Sequence, residues 1–304
     1  YTTDKENMVE YKVNNKSEDA KMERIFITGA GGFVGARACQ RLQGSYTVLT
    51  PPKGWMATCT EEEQLTQMLT EMHPEVILHT AAISDTGYAE SHPEEAYRAN
   101  VQLPLWLARA AAQCGAKLVA FSSDQVYAGV QQPGPLAETM SLSPANVYGR
   151  QKLEMEQRVL EVCPDAVLLR ATWMYDLPGY GLPIRGNLPL NLAKAALYGE
   201  KVRVSSRDYR GITYVRQAVE NLLPATALPG GVYNYGSENQ YDMVTTTRAF
   251  AESMQLPNAD TLIEVADWPR NLAMDCAKLH GHGIRFDATQ DGIYRCLRDY
   301  GLIK

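Results

Sequence analysis

No apolar stretch of this chain comes near the ~20 uninterrupted residues that a helix needs to cross a bilayer, and the start carries no secretory pattern. A cytoplasmic chain without a membrane partner is therefore expected. Positive charge is not in excess either: 29 lysines and arginines stand against 35 aspartates and glutamates, a formal net charge of −6. Without a general basic field no nucleic-acid partner is expected, although a local basic pocket for a phosphorylated small molecule stays open. Cysteine is sparse and unpaired in its spacing, at positions 39, 59, 114, 163, 276 and 296, which reads as reduced core or helix residues and not as a disulfide framework. Histidine is scarcer, five in all, and His280 and His282 alone do not make a ligand set, so no metal is expected.

What is present is the composition of an ordinary globular protein, 45% hydrophobic and 21% charged over 304 residues, enough for one large core or two moderate ones. The chain is organised around residues 25–35, Ile-Phe-Ile-Thr-Gly-Ala-Gly-Gly-Phe-Val-Gly, followed by a helical pattern from Ala36 to Leu42. A β-branched and aromatic run that breaks into Gly29, Gly32 and Gly35 and then opens a helix reads as strand, turn and helix. In such a turn one glycine takes φ > 0, another admits a phosphate to the backbone, and the last lets helix pack on strand. The free N–H groups of the helix start, with Phe33 and Val34 in its first turn, then face the pyrophosphate of a dinucleotide.

Residues 1–21 are polar and precede Met22, and they read as an N-terminal extension or a remnant, with Val9, Tyr11 and Val13 able to form a short edge strand. Strands are expected at residues 46–49, 76–79, 118–121 and 167–169, with helices between them at 61–71, at 94–113 with a kink at Pro104, and from 146 onward. This alternation predicts a Rossmann-type α/β fold, a doubly wound parallel sheet over residues 22–175 whose ligands bind beyond the carboxyl ends of the strands. The alternation decays after Asp176, and residues 176–304 are expected to form a smaller C-terminal substrate-binding lobe packed on the first part. At the second strand end no Asp or Glu is available for ribose hydroxyls, whereas Arg37 and Lys53 are nearby cations; this favours NADP over NAD while leaving both open.

Three polar groups are expected to meet at the strand ends. Ser123 closes the 118–121 strand, and Tyr148 and Lys152, four apart, share one helix face. A neighbouring ammonium would lower the phenol from its usual ~10 towards neutrality, and such a phenol can protonate a carbonyl oxygen as hydride reaches its carbon. Ser123 would hold the same oxygen. Small residues Ala81 and Ala82 would let a ring or ribose lie against a strand end.

With these residues in view, residues 28–35, Ala81-Ala82, Ser123 and Tyr148-x-x-x-Lys152 resemble the extended short-chain dehydrogenase/reductase superfamily. Phe121-Ser122-Ser123-Asp124-Gln125-Val126-Tyr127-Ala128-Gly129, Glu138, Asn146-Val147-Tyr148-Gly149-Arg150-Gln151-Lys152, and Leu169-Arg170-Ala171-Thr172-Trp173-Met174-Tyr175 resemble, more narrowly, the dTDP-4-dehydrorhamnose reductase family. Residues 270–279, beginning Arg270-Asn271, are similar to that family's C-terminal substrate loop. The resemblance implies a catalytic trio of Ser123, Tyr148 and Lys152, with serine where the family usually has threonine. It also implies supporting groups at Asp124 and Asn100, and sugar-nucleotide contacts at Asn187, Arg270 and Asn271. The expected activity is reduction of a nucleotide-linked 4-keto sugar by NAD(P)H, in a possible homodimer. The family's acid near residues 58–60 is missing, and its acidic metal cluster is not matched at residues 84–95. Gln125 replaces the glutamate that dehydratases of the superfamily use, which disfavours dehydration. Two alternatives remain: an epimerase that retains NAD, and a non-catalytic cofactor-binding regulatory subunit, as in a relative that associates with methionine adenosyltransferase.

Overall fold

The computed structural model describes residues 23–304, so the expectations for the N-terminal extension lie outside the described residues. The first half runs β1 (Arg24–Thr28), α1 (Phe33–Leu42), β2 (Thr47–Leu49), α2 (Trp55–Thr58), α3 (Glu62–Met72), β3 (Val76–His79), α4 (Thr86–Ser91), α5 (Pro93–Tyr97), α6 (Leu103–Cys114), β4 (Lys117–Ser123), α7 (Val147–Val162), β5 (Val167–Ala171) and β6 (Trp173–Tyr175). The second half adds α8 (Leu188–Tyr198), β7 (Val202–Ser205), β8 (Asp208–Arg210), β9 (Ile212–Tyr214), α9 (Val215–Glu220), α10 (Leu222–Thr226), β10 (Gly231–Tyr235), α11 (Met243–Ser253), β11 (Ile263–Ala266), β12 (Arg270–Leu272), α12 (Ala277–Gly281) and α13 (Thr289–Asp299).

Six strands form one parallel sheet in the order β10-β5-β4-β3-β1-β2. Its inner strands alternate between two apolar layers, as a sheet covered on both faces must. Ile25 and Ile27, Val76 and Leu78, and Val167 and Leu169 face the core shared with α1, α9 and α10. Phe26, Ile77, Leu118 and Leu168 face the one shared with α3, α6 and α7. The strand order reverses between β1 and β3, and the ligand crevice of such a sheet opens there. At that point Thr28 Oγ accepts N–H groups of Thr80 and Ala81 at 3.2 and 3.3 Å, while Thr80 Oγ donates to Thr28 O at 2.7 Å.

Two expectations need correction. The division at residue 176 is not a division in space: β10 completes the main sheet, and Val215, Ala218, Leu222 and Tyr233 share the core of β1. The remainder of the second half has its own core, formed by Tyr175, Leu188, Leu192, Tyr214, Phe250 and Ile293. The helix expected at 94–113 runs from Pro93 to Cys114, but in place of a simple kink at Pro104 it widens into a π turn over Arg98–Gln102, closed by Leu103 N–H to Arg98 O. Proline lacks an N–H and its ring crowds the carbonyl four residues back; widening the turn just before Pro104 relieves both.

Candidate active site

The glycine turn has little steric slack. Gly29 has φ +70°, and a Cβ there would lie 2.8 Å from Ala81 N; a Cβ on Gly35 would lie 2.1 Å from Gly29 O. Gly35 thus brings α1 close to the turn and sits behind the cleft wall, which is formed by Gly29, Gly32, Phe33 and Val34. Gly32 caps α1 without a side chain, leaving the first N–H groups of the helix open to an anion. The cradle therefore fits a dinucleotide pyrophosphate.

From this turn a cleft of about 500 Å³ extends along the strand ends past Ala81, Ala82, Ser123 and Asp124 to Tyr148 and Lys152. Asn146 starts α7 by accepting the Gly149 N–H at 2.7 Å, and its amide donates to Gln125 Oε1 at 3.0 Å. Gly149 allows this contact: a Cβ there would stand 2.2 Å from Gln125 O. The first turn of α7 is thereby pressed onto the end of β4, and Tyr148 and Ser123 meet. Lys152 Nζ, one turn on, donates to Phe121 O at 2.7 Å.

The electrostatics differ from the expectation. Burial and the charge of Asp124 push the Tyr148 phenol up to about 12, against hydrogen bonding from Ser123 and the charge of Arg185. Burial also lowers Lys152 to about 8, against the pull of Glu156. Lys152 directs its proton to a backbone carbonyl and does not depress the phenol; the loss of solvation is the larger effect on both groups. Tyr148 is consequently a protonated phenol at neutral pH, the state a proton donor requires.

The other expected residues separate into two groups. Asp124 lines the cleft, with Oδ2 2.6 Å from Arg210, and Arg270 lines it while paired with Asp208. Asn271 lies in an adjoining cavity of about 1050 Å³, which shares Thr86, Gln125 and Arg270 with the first and carries Trp268 and Tyr209 on its wall. Its amide donates to the carbonyls of Gln132 and Gly134. Asn100 is fully buried in the π turn and clamps the N–H and C=O of Ile83 at 3.0 Å each, as well as Gln151, so it supports the cleft wall without lining it. Asn187 is likewise buried: it caps α8 through Leu190 N–H and donates to Asp176 O and Arg185 O. It is a loop-holding residue, not a contact.

Arg37 is also corrected. It is buried against Asp176 at 2.6 Å and donates to the carbonyls of Phe33 and Pro183, so it is not presented to a 2′-phosphate. Lys53, in the exposed turn after β2, keeps that position. Sequence reasoning missed Arg185 and Arg210, which with Arg270 make a row of three guanidiniums along the cleft. Their sequence neighbourhood carries no recognisable pattern, and Arg210 reaches Asp124 across 86 residues of chain. Gln125 is held at both ends, by Asn146 and by Asp124, and supplies no acid or base.

The model of the RmlD substrate binding domain family matches residues 22–301. The chain is 35% identical over 158 residues to a dTDP-4-dehydrorhamnose reductase of Mycolicibacterium smegmatis, covering 52% of this chain and 47% of that protein. The chain thus spans about half the length of that relative. It is 29% identical over 307 residues to methionine adenosyltransferase 2 subunit beta of Mus musculus, covering 91% and 86%. Among solved structures, the dTDP-4-dehydrorhamnose reductase of Bacillus anthracis in complex with NADP superposes with a TM-score of 0.81 at 23% identity, over 92% of this chain and 99% of that one, a likeness of fold.

Proposed function

The chain belongs to the RmlD substrate binding domain family, and from that membership we propose that it is an NAD(P)H-dependent reductase of a nucleotide-linked 4-keto sugar, most like dTDP-4-dehydrorhamnose reductase. The observation that carries this reading is the placing of Ser123, Tyr148 and Lys152 on the wall of a cleft that starts at the glycine turn. Reduced nicotinamide, when bound, supplies the hydride. Tyr148 gives its phenolic proton to the carbonyl oxygen, so that C=O becomes CH–OH, and Ser123 holds that oxygen in line. The Lys152 ammonium offsets the phenolate left behind, which regains its proton from solvent. Arg185, Arg210 and Arg270 suit the two phosphates of a sugar nucleotide, and the larger cavity beside Trp268 and Tyr209 suits its nucleoside. Lys53 keeps the lean to NADP. The six cysteines are free thiols, in keeping with a reducing cytoplasm.

Screening nucleotide-linked 4-keto sugars with NADPH and NADH tests the reading. At least one is expected to be reduced, and Tyr148→Phe is expected to lower turnover by about 10²-fold or more with cofactor binding retained. Full turnover in that variant would overturn the proton donor. A second reading, a non-catalytic regulatory subunit, is supported by the alignment over 91% of the chain with a methionine adenosyltransferase subunit. Silence across the sugar panel together with a stoichiometric protein partner would favour it over the reductase.

A further inference from the structure

A polar row crosses the sheet directly beneath the trio. Ser122 of β4, Arg170 of β5 and Asn234 of β10 are register partners on adjacent strands. All three engage one buried cluster. Ser122 Oγ donates to Glu156 Oε1 at 2.5 Å, and Arg170 grips the same carboxylate through Nε at 3.0 and 3.2 Å and Nη2 at 2.7 Å. Arg170 Nη1 reaches the Tyr127 hydroxyl at 2.8 Å, which donates to Asn234 Oδ1 at 2.8 Å. Asn234 completes the row with bonds to Leu136 O and Asp275 O. None of the five side chains is more than 4% exposed.

Glu156 stands one helical turn beyond Lys152 on α7, as Lys152 stands one turn beyond Tyr148. Two consecutive residues of β4 receive them: Phe121 O accepts a hydrogen bond from Lys152 Nζ and Ser122 Oγ donates one to Glu156. We propose that Glu156 is a positioning residue for the reduction, fixing the register of α7 on β4 and serving as the counter-charge of Lys152. The consequence for turnover rests on the reductase reading; the effect on Lys152 does not.

The surroundings of Lys152 leave this role to Glu156. Across from it on β3, His79 is held neutral, lowered to about 3 by burial and by Lys152. Tyr148 is a neutral phenol, and Glu156, not Asp124, is the carboxylate whose charge acts on Lys152. Arg170 adds no attraction, being a cation itself. Asn100 and Gln151, packed beside α7, are uncharged. With Lys152 near 8, its ammonium is present at neutral pH and is lost as pH rises through that value; removing the Glu156 charge moves the loss to lower pH.

The test follows Lys152 by the 13C shift of its ε-carbon in lysine-labelled protein, assigned by comparison with Lys152→Arg. Glu156→Gln is expected to move the titration midpoint down by about one pH unit, and the alkaline limb of kcat/KM by the same amount, about tenfold less turnover above both midpoints. Because that variant leaves Arg170 buried without its partner, the neutral pair Glu156→Gln/Arg170→Met is measured beside it and, having lost a cation as well, is expected to show a smaller downward movement than the single variant. An unmoved midpoint in folded Glu156→Gln, or a double variant whose midpoint falls further than that of the single one, overturns the proposal. Wild-type protein that turns over no keto sugar would remove the reductase reading, while the titration still decides the role of Glu156.

Discussion

Gly149 shows how little room there is between the helix that carries Tyr148 and the turn that follows β4. A methyl group at this position would meet Gln125 O at 2.2 Å, and neither backbone segment has a flexible side chain to move aside. Gly149→Ala is therefore expected to lower stability by about 1–3 kcal/mol and to displace Tyr148 from Ser123. Thermal denaturation would report the first effect and a fall in kcat at unchanged cofactor affinity the second; an alanine variant with native melting and native kcat would contradict the packing described. At this level the local pattern was readable from sequence where chemistry depends on near neighbours. Tyr148 and Lys152 share a face because a helix has a fixed period. Arg37 and Asn187 could not be read so, because burial and partners far away in the chain decide what a polar side chain is free to do.

The helical run from Pro93 to Cys114 illustrates the same division for a whole element. Its existence follows from apolar spacing, and the disturbance near Pro104 from proline's missing donor, but the π turn that results serves to turn Asn100 inward onto Ile83. Asn100→Ala would leave the Ile83 N–H and C=O and the Gln151 amide without their partner, at a cost of about 2–4 kcal/mol. Denaturant unfolding checks this, and a loss under about 0.5 kcal/mol, the size of an ordinary surface change, would show that the clamp is not needed. The place of strand β10 beside β5 was not readable from the sequence. A pattern of buried residues states that a strand is covered on both faces without stating which strand it pairs with.

Across the whole molecule, the two halves are joined by the Arg37–Asp176 pair, with the Tyr300 hydroxyl donating to the same carboxylate at 3.0 Å. Both charges are buried, so removing one is far more costly than removing both. Asp176→Ala is expected to destabilise by about 3–5 kcal/mol, whereas Arg37→Met/Asp176→Leu is expected to recover most of that. Melting temperatures of the three proteins decide it. The double variant is further expected to keep its preference between NADPH and NADH, since the Arg37 guanidinium is buried and held by Asp176 and the carbonyls of Phe33 and Pro183; a lost preference by fluorescence titration would return Arg37 to the cofactor site.

Seen together, the order of strands and helices, the glycine turn and the tyrosine–lysine spacing were written in short stretches of chain, because backbone conformation and helical period are local properties. The arginine row, the buried crossbar under Lys152 and the raised phenol were not. They arise where segments as far as 107 residues apart exclude water together, and the free energy of a charge depends on that shared exclusion and not on its neighbours in sequence.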